Sequence, residues 1–199
     1  MPEINHPVNT IIIPGGEVSG GILGDSALKD FSDQIHEALQ VEDGPIPRHK
    51  LTLLKELCFA VSDPIQLPLG VDIPGPEVSA TLLDILSKSQ PAIGYLATRI
   101  TLSELGCWNL PLKAEYDEKN RARYPQISKS TLGAKNELAH RFVMRTCLGA
   151  TLGRLDFIDH VCRSHACCNL THLDFATPRA NLMRSLIHQR SVRKQERLF

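Results

Sequence analysis

No stretch of this chain approaches the ~18–20 uninterrupted apolar residues that a membrane span needs, so no transmembrane segment is expected. The first residues, MPEINHPVNTIIIPGG, lack a basic start followed by a long apolar region, and export is not expected either. Internal repeats and low-complexity tracts are missing, which sets aside repeat architectures. Net charge is missing too, since 22 Lys and Arg balance 22 Asp and Glu. That excludes a uniformly basic nucleic-acid binder but not a divided one. Residues 1–106 carry 6 Lys/Arg against 14 Asp/Glu, a balance of −8, and residues 107–199 carry 16 against 8, a balance of +8. Such asymmetry gives one acidic and one basic surface, and a phosphate backbone would choose the second. Mutual attraction of the two halves within one domain would leave the same signature.

What is present suits a soluble globular protein. Hydrophobic residues make up 42% of 199, enough for a real core in one large domain or two small ones. Six cysteines in a chain without an export signal are expected to be thiols or metal ligands in a reducing, intracellular setting.

Periodicity predicts an α+β protein whose first part, residues 1–104, is acidic and mainly helical. A short strand is expected at Thr10–Ile13, stopped by Pro14-Gly15-Gly16. A helix near 26–40 follows from Leu28, Phe31, Ile35, Ala38 and Leu39 at helical spacing. A second is expected near 49–61 with Leu53, Leu54, Leu57 and Val61 inward, then Pro-rich turns over 64–76. A third, near 77–88, follows Pro76 and buries Val78, Leu82, Ile85 and Leu86. Three short helices suggest a helix-turn-helix reader, but their acidic balance favours a structural or dimerising role. From Cys107 the aliphatic pattern gives way to short stretches carrying Cys, His, Arg and Asn, so a second region is set at 105–199.

The chemistry-bearing stretch is Asp156–Asn181, DFIDHVCRSHACCNLTHLDFATPRAN. Cys162, Cys167 and His172 are separated by four residues each, which lets one loop fold back on a single ion. Zinc prefers four tetrahedral thiolate or imidazole ligands, so one more is required. Cys107, in GCWNL, is the best remaining candidate, with Cys168 and His165 as rivals. Cys58 and Cys147 sit among apolar residues, where inert buried thiols are usual. Around the loop, Phe157–Val161 and His172–Ala176 read as partner strands. Thr177 then caps a helix with Pro178 at its first position, and Leu182, Leu186 and Ile187 are expected to give that helix a buried face. A lone histidine ending a strand is ordinarily a satisfied structural residue; His160 next to such a loop, with Asn181 following, reads otherwise.

The pattern D-H-x-C-x4-C-x4-H-L, with Asn181 nine residues after His172, resembles the ββα-metal or His-Me finger nucleases, in particular the His-Cys box homing endonucleases and related HNH enzymes of phages. The likeness extends upstream through CWNLPLKAEY, from Cys107, and the Ala139-His140-Arg141 triplet, covering roughly residues 105–190. It implies a zinc-stabilised ββα nuclease core with short antiparallel strands. It puts His160 at the general base, Asn181 at the ligand of a catalytic Mg²⁺ (Mn²⁺ substituting), and Cys107, Cys162, Cys167 and His172 on a structural zinc. Asp159 falls where HNH members keep a second ligand of the catalytic ion. Arg123, in RARYPQIS, lies near the arginine that holds the scissile phosphate, at a different spacing from Cys107. The chain departs from the pattern at Asn169-Leu170, where these families have Asn-Pro. No Cys follows Cys168, so one zinc per chain is expected.

The residue types suit phosphodiester hydrolysis. A neutral imidazole can take a proton from water, a hard cation held by an amide oxygen can offset charge on the phosphate, and an arginine can grip it bidentately. The resemblance therefore implies a site-specific homing-type endonuclease on double-stranded DNA, working as a homodimer. The same chemistry would serve a phage or defence HNH nuclease, and a zinc-stabilised DNA-binding module without catalysis is the alternative of another class. A nuclear location follows if the gene is carried in a eukaryotic intron, and a cytoplasmic one otherwise. The tail residues Arg184, Arg190, Arg193, Lys194 and Arg197 suit phosphate contacts or a solvated helix face.

Overall fold

Apolar side chains recurring one helical turn apart set the first element. Helix α1 (Asp25–Gln40) buries Phe31, Ile35 and Ala38 as a single stripe, while Leu28 in its first turn stays partly exposed. The computed structural model describes residues 24–40, 48–67, 70–112, 123–128, 136–153, 156–184 and 186–187. The strand expected at Thr10–Ile13 lies outside them, as does the tail from residue 188.

Helix α2 (Arg48–Ala60) packs on α1 with Leu51, Leu54 and Cys58 inward. The expected face is thus rotated, because Leu53, Leu57 and Val61 flank this ladder and are only half-buried. Its cations reach across to the C-terminal part. Lys55 Nζ stands 3.5 Å from Asp174 Oδ1, and the Arg48 guanidinium lies over the Phe175 ring at 5.5 Å.

The Pro-rich stretch expected to be turns contains a small antiparallel hairpin, β1 (Ile65–Leu67) and β2 (Val71–Ile73). Gly70 takes φ +67° at its tip, a conformation costly for residues with a Cβ. Helix α3 (Pro76–Ser89) starts with Pro in its first turn and buries Val78, Leu82, Ile85 and Leu86 as expected. Gln90 then adopts an extended backbone and Pro91 opens a further helix, α4 (Pro91–Ala97), which was not among the expected elements.

Strands β3 (Thr101–Leu102) and β4 (Trp108–Asn109) pair antiparallel, as do β5 (Gln126–Ile127) and β6 (Glu137–Leu138). Helix α5 (Ala139–Leu148) buries Phe142, Val143, Met144, Cys147 and Leu148, and ends on Gly149 in the left-handed conformation. A last hairpin, β7 (Phe157–His160) and β8 (Leu173–Ala176), is followed by a helix, α6, over residues 178–184 and 186–187. Each sheet among the described residues is two-stranded.

One apolar cluster runs from Ile35, Leu54 and Leu86 through Trp108 and Met144 to Leu170 and Leu173. The core is therefore shared across residue 104, and the acidic helices pack on the same interior as the Cys/His segment. No helix among the described residues is long and apolar enough to cross a membrane.

Candidate functional site

The loop between β7 and β8 can fold back because a second segment zips onto it. Leu110 N–H donates to the Ala166 carbonyl at 3.2 Å, Cys168 N–H to the Trp108 carbonyl at 3.0 Å, and Asn109 bridges to Cys167. These bonds carry Cys107 to the loop across 55 or more residues of chain. Gly106 permits the approach: its φ is +72°, and a Cβ there would run into the Ser79 side chain. Trp108 lies fully buried beneath, its Nε1–H donating to the Ser79 carbonyl at 3.0 Å.

Asn169 locks the two segments together. Its Oδ1 accepts from Thr171 N–H (3.0 Å) and Thr171 Oγ1 (2.9 Å), and its Nδ2 donates to the Gly106 carbonyl at 2.8 Å. This buried amide caps the short 3₁₀ turn Leu170–His172 and sets the direction of His172. Sequence reading noticed Asn169 only for the Leu that follows it; an Asn before such a turn is the signal that could have marked it. Leu170, which follows Asn169, buries its side chain in the core.

The result is a cluster of Cys107, Cys162, Cys167 and His172 whose ligand atoms all lie within 4.8 Å of one another. Cys107 Sγ is 3.5 Å and Cys167 Sγ 3.6 Å from His172 Nδ1. Tetrahedral zinc with Zn–S of ~2.3 Å and Zn–N of ~2.0–2.1 Å requires a sulfur–nitrogen edge of roughly 3.5 Å, so the donors are spaced to hold that ion. Nδ1 is the nitrogen that faces the thiols, and Nε2 is buried without a hydrogen-bond partner among the described residues. The donor set by itself divides its protons unevenly. Hydrogen bonds from Cys162 and Cys167 push the Cys107 thiol well below its ordinary value, while the bond with Cys107 pushes Cys162 up to about 12 and burial raises Cys167. A divalent cation is what lets all three be thiolates together. The rivals lie elsewhere. Cys168 directs its Sγ to the Trp108 carbonyl at 3.3 Å, and His165 packs against the Tyr124 ring at 5.2 Å. Cys58 and Cys147 are buried thiols, each raised to about 12 by desolvation.

His160 ends β7 at the mouth of this loop and is 5% exposed. Its ring nitrogen Nε2 lies 3.1 Å from the Cys167 carbonyl. A carbonyl can only accept, so Nε2 carries the proton and Nδ1 the lone pair. Tyr124 and His140 enclose the ring, with centroids 5.6 and 4.8 Å away, the latter edge to face. Burial lowers His160 to about 4, and burial with the neighbouring His160 and Arg141 lowers His140 to about 3. His140 Nδ1 is itself buried and without a partner among the described residues. Neither Tyr124 nor His140 was singled out for this pocket; the aromatic before Pro125 and the Ala139-His140-Arg141 triplet were the available signals.

Arg123 is exposed, one residue before Tyr124. Asn181 is half-buried on α6, its N–H bonded to the Thr177 carbonyl at 3.0 Å, and among the described residues no hydrogen bond or ring contact joins it to His160. Asp159 is paired with two arginines: Arg163 holds Oδ1 at 3.2 Å and Arg184 holds Oδ2 at 2.9 Å. The buried face expected of α6 is a correction, since Leu182, Leu186 and Ile187 are 60%, 38% and 45% exposed.

Comparison with protein-family models, curated proteins and solved structures finds no match.

Proposed function

We propose that this chain is a divalent-metal-dependent endonuclease that hydrolyses phosphodiester bonds in double-stranded DNA, site-specific and of homing type, acting as a homodimer with one active site for each strand. The observation that carries this reading is the bond from His160 Nε2 to the Cys167 carbonyl, which leaves Nδ1 as the basic nitrogen of a neutral imidazole beside a metal-stapled hairpin. The pattern resemblance of residues 156–181 to His-Me finger nucleases supports it independently.

In the proposed reaction, Nδ1 of His160 takes a proton from the attacking water while Tyr124 and His140 keep the ring from turning. The Asn181 amide oxygen would hold a hard cation such as Mg²⁺, which would supply Lewis acidity to offset charge on the scissile phosphate and the leaving 3′ oxygen. Arg123, exposed beside Tyr124, grips the phosphate. A zinc ion held by Cys107, Cys162, Cys167 and His172 would be structural, standing in for an apolar core in a short loop.

Cleavage of supercoiled plasmid by the zinc-loaded chain with Mg²⁺, against an EDTA control and the His160→Ala variant, tests this. Nicked or linear product that requires both Mg²⁺ and His160 is the expected result. Binding of duplex DNA without cleavage under any divalent ion would make the chain a zinc-stabilised binding module.

A further inference from the structure

Helix α6 is docked with its polar face inward. Leu182, Met183, Leu186 and Ile187 point outward at 60%, 50%, 38% and 45% exposure, so burial of these side chains does not hold the helix. Among the described residues, Arg184 makes the side-chain hydrogen bonds that tie it to the β7–β8 hairpin. Its Nη1 donates to Asp159 Oδ2 at 2.9 Å, and its guanidinium reaches Asp174 Oδ2 at 3.4 Å. Asp159 and Asp174 stand directly opposite in the hairpin register, a like-charge cross-strand pair that would be repulsive alone. Arg184 bridges both, Lys55 adds a second cation to Asp174, and Arg163 adds one to Asp159. Arg163 does so from a turn position at φ +63°, rare for a residue with a side chain. Asp159 is only 4% exposed, with both oxygens occupied. Asn181 sits one turn before Arg184, on the same face of the helix.

We infer that Arg184 is the positioning residue for Asn181, and that Asp159 is the anchor of that arginine and not a ligand of the catalytic cation. The inference rests on the nuclease reading, in which Asn181 holds the cation. Two guanidinium groups on one buried carboxylate offset its charge, take one bond on each oxygen and repel a dication that approaches. The carboxylate pair instead fixes Arg184, and Arg184 fixes the height and rotation of the helix turn that carries Asn181. This is the role outer partners play around metal ligands, where their loss typically costs ~10–100-fold in affinity.

The two assignments of Asp159 give opposite signs in one experiment. Mn²⁺ binding to the zinc-loaded full chain is followed by electron paramagnetic resonance, with amide hydrogen exchange over 178–187 and Mg²⁺-dependent plasmid cleavage in parallel. Arg184→Gln and Asp159→Asn should each weaken Mn²⁺ binding about tenfold and speed exchange in α6, with zinc content unchanged. The two effects should be less than additive in the double variant, since the variants share the Arg184–Asp159 contact. Arg184→Lys should restore part of the affinity, and high Mg²⁺ should restore most of the cleavage rate. If Asp159 is a ligand, Arg184→Gln frees its carboxylate and tightens Mn²⁺ binding, and that result overturns the inference. Unchanged binding and exchange in Arg184→Gln overturns it as well, with the nuclease reading intact. A wild-type chain that neither binds Mn²⁺ nor cuts DNA removes the nuclease reading, and the inference with it.

Discussion

His160 Nε2 donates to the carbonyl of Cys167 at 3.1 Å, so a residue of the metal cluster fixes the tautomer of the proposed base. The candidate metal cluster and the proposed base are thereby joined through one backbone atom. Loss of the metal should disturb the imidazole before it disturbs the helical core on the far side of the molecule.

One Zn²⁺ per chain is expected, held by Cys107, Cys162, Cys167 and His172. Single Cys→Ser variants at those positions should lose zinc and most of the structure of the hairpin region, given apparent zinc-folding energies of ~10–16 kcal/mol in small zinc domains. Cys168→Ser should keep its zinc, since that sulfur faces the Trp108 carbonyl. Elemental analysis with thermal denaturation checks both, and a Cys107→Ser protein with full zinc and full stability overturns the ligand set.

His160→Ala should bind DNA normally and cleave ~10²–10⁴-fold more slowly, because the base acts only in the chemical step. Single-turnover cleavage at saturating DNA is the measurement, and a near-normal rate excludes the role. Asn181→Ala should keep its zinc and DNA binding but lose Mg²⁺-supported cleavage.

His140 makes folding sensitive to acid. Its folded value, lowered from 6.5 to about 3 by burial and by His160 and Arg141, means that the unfolded chain binds its proton first as pH falls. The stabilisation is complete above about pH 6.5 and is lost progressively toward pH 3, with a slope of up to about 1.4 kcal/mol per pH unit. The ring faces Tyr124 and His160, with Arg141 adjacent, and both charged neighbours that act on it are cationic when protonated. His140→Phe should flatten this part of the profile of melting temperature against pH, with zinc retention tracked in parallel. An unchanged acid slope in the variant rules out His140 as its source.

Among the described residues, several cations of the basic half are already engaged. Arg145 pairs with Glu137, Arg141 donates to the Gly153 and Asp156 carbonyls, and Arg184 is committed to Asp159 and Asp174. Arg123 and Arg179 are exposed. Replacing either with Gln should therefore reduce the slope of log K against log salt for duplex binding by about 0.9, the value for one phosphate contact. Arg99→Gln, on the acidic side and also exposed, should leave the slope unchanged. A slope that drops only for Arg99→Gln would place the duplex on the N-terminal helices.

Local chemistry was legible in the chain itself. The four-residue spacing of Cys162, Cys167 and His172, the strands either side and the Thr177-Pro178 cap are short-range properties, and they appear in the fold where spacing and capping require them. The stripes of α1 and α3 were readable for the same reason, since helical periodicity is written within a dozen residues. What joined distant segments was not readable. Cys107 was a candidate among rivals until backbone pairing of 108–110 with 166–168 brought its sulfur to the cluster. Periodicity around Leu182, Leu186 and Ile187 implied a buried face, yet the Asp159–Asp174 pair claimed Arg184 and turned that face outward. A hydrophobic pattern states which side of a helix is apolar, but which side meets the protein depends on the partner surface. Here that surface carries two carboxylates set opposite each other by hairpin register, and the charge they concentrate is a property of the pairing and of neither strand alone.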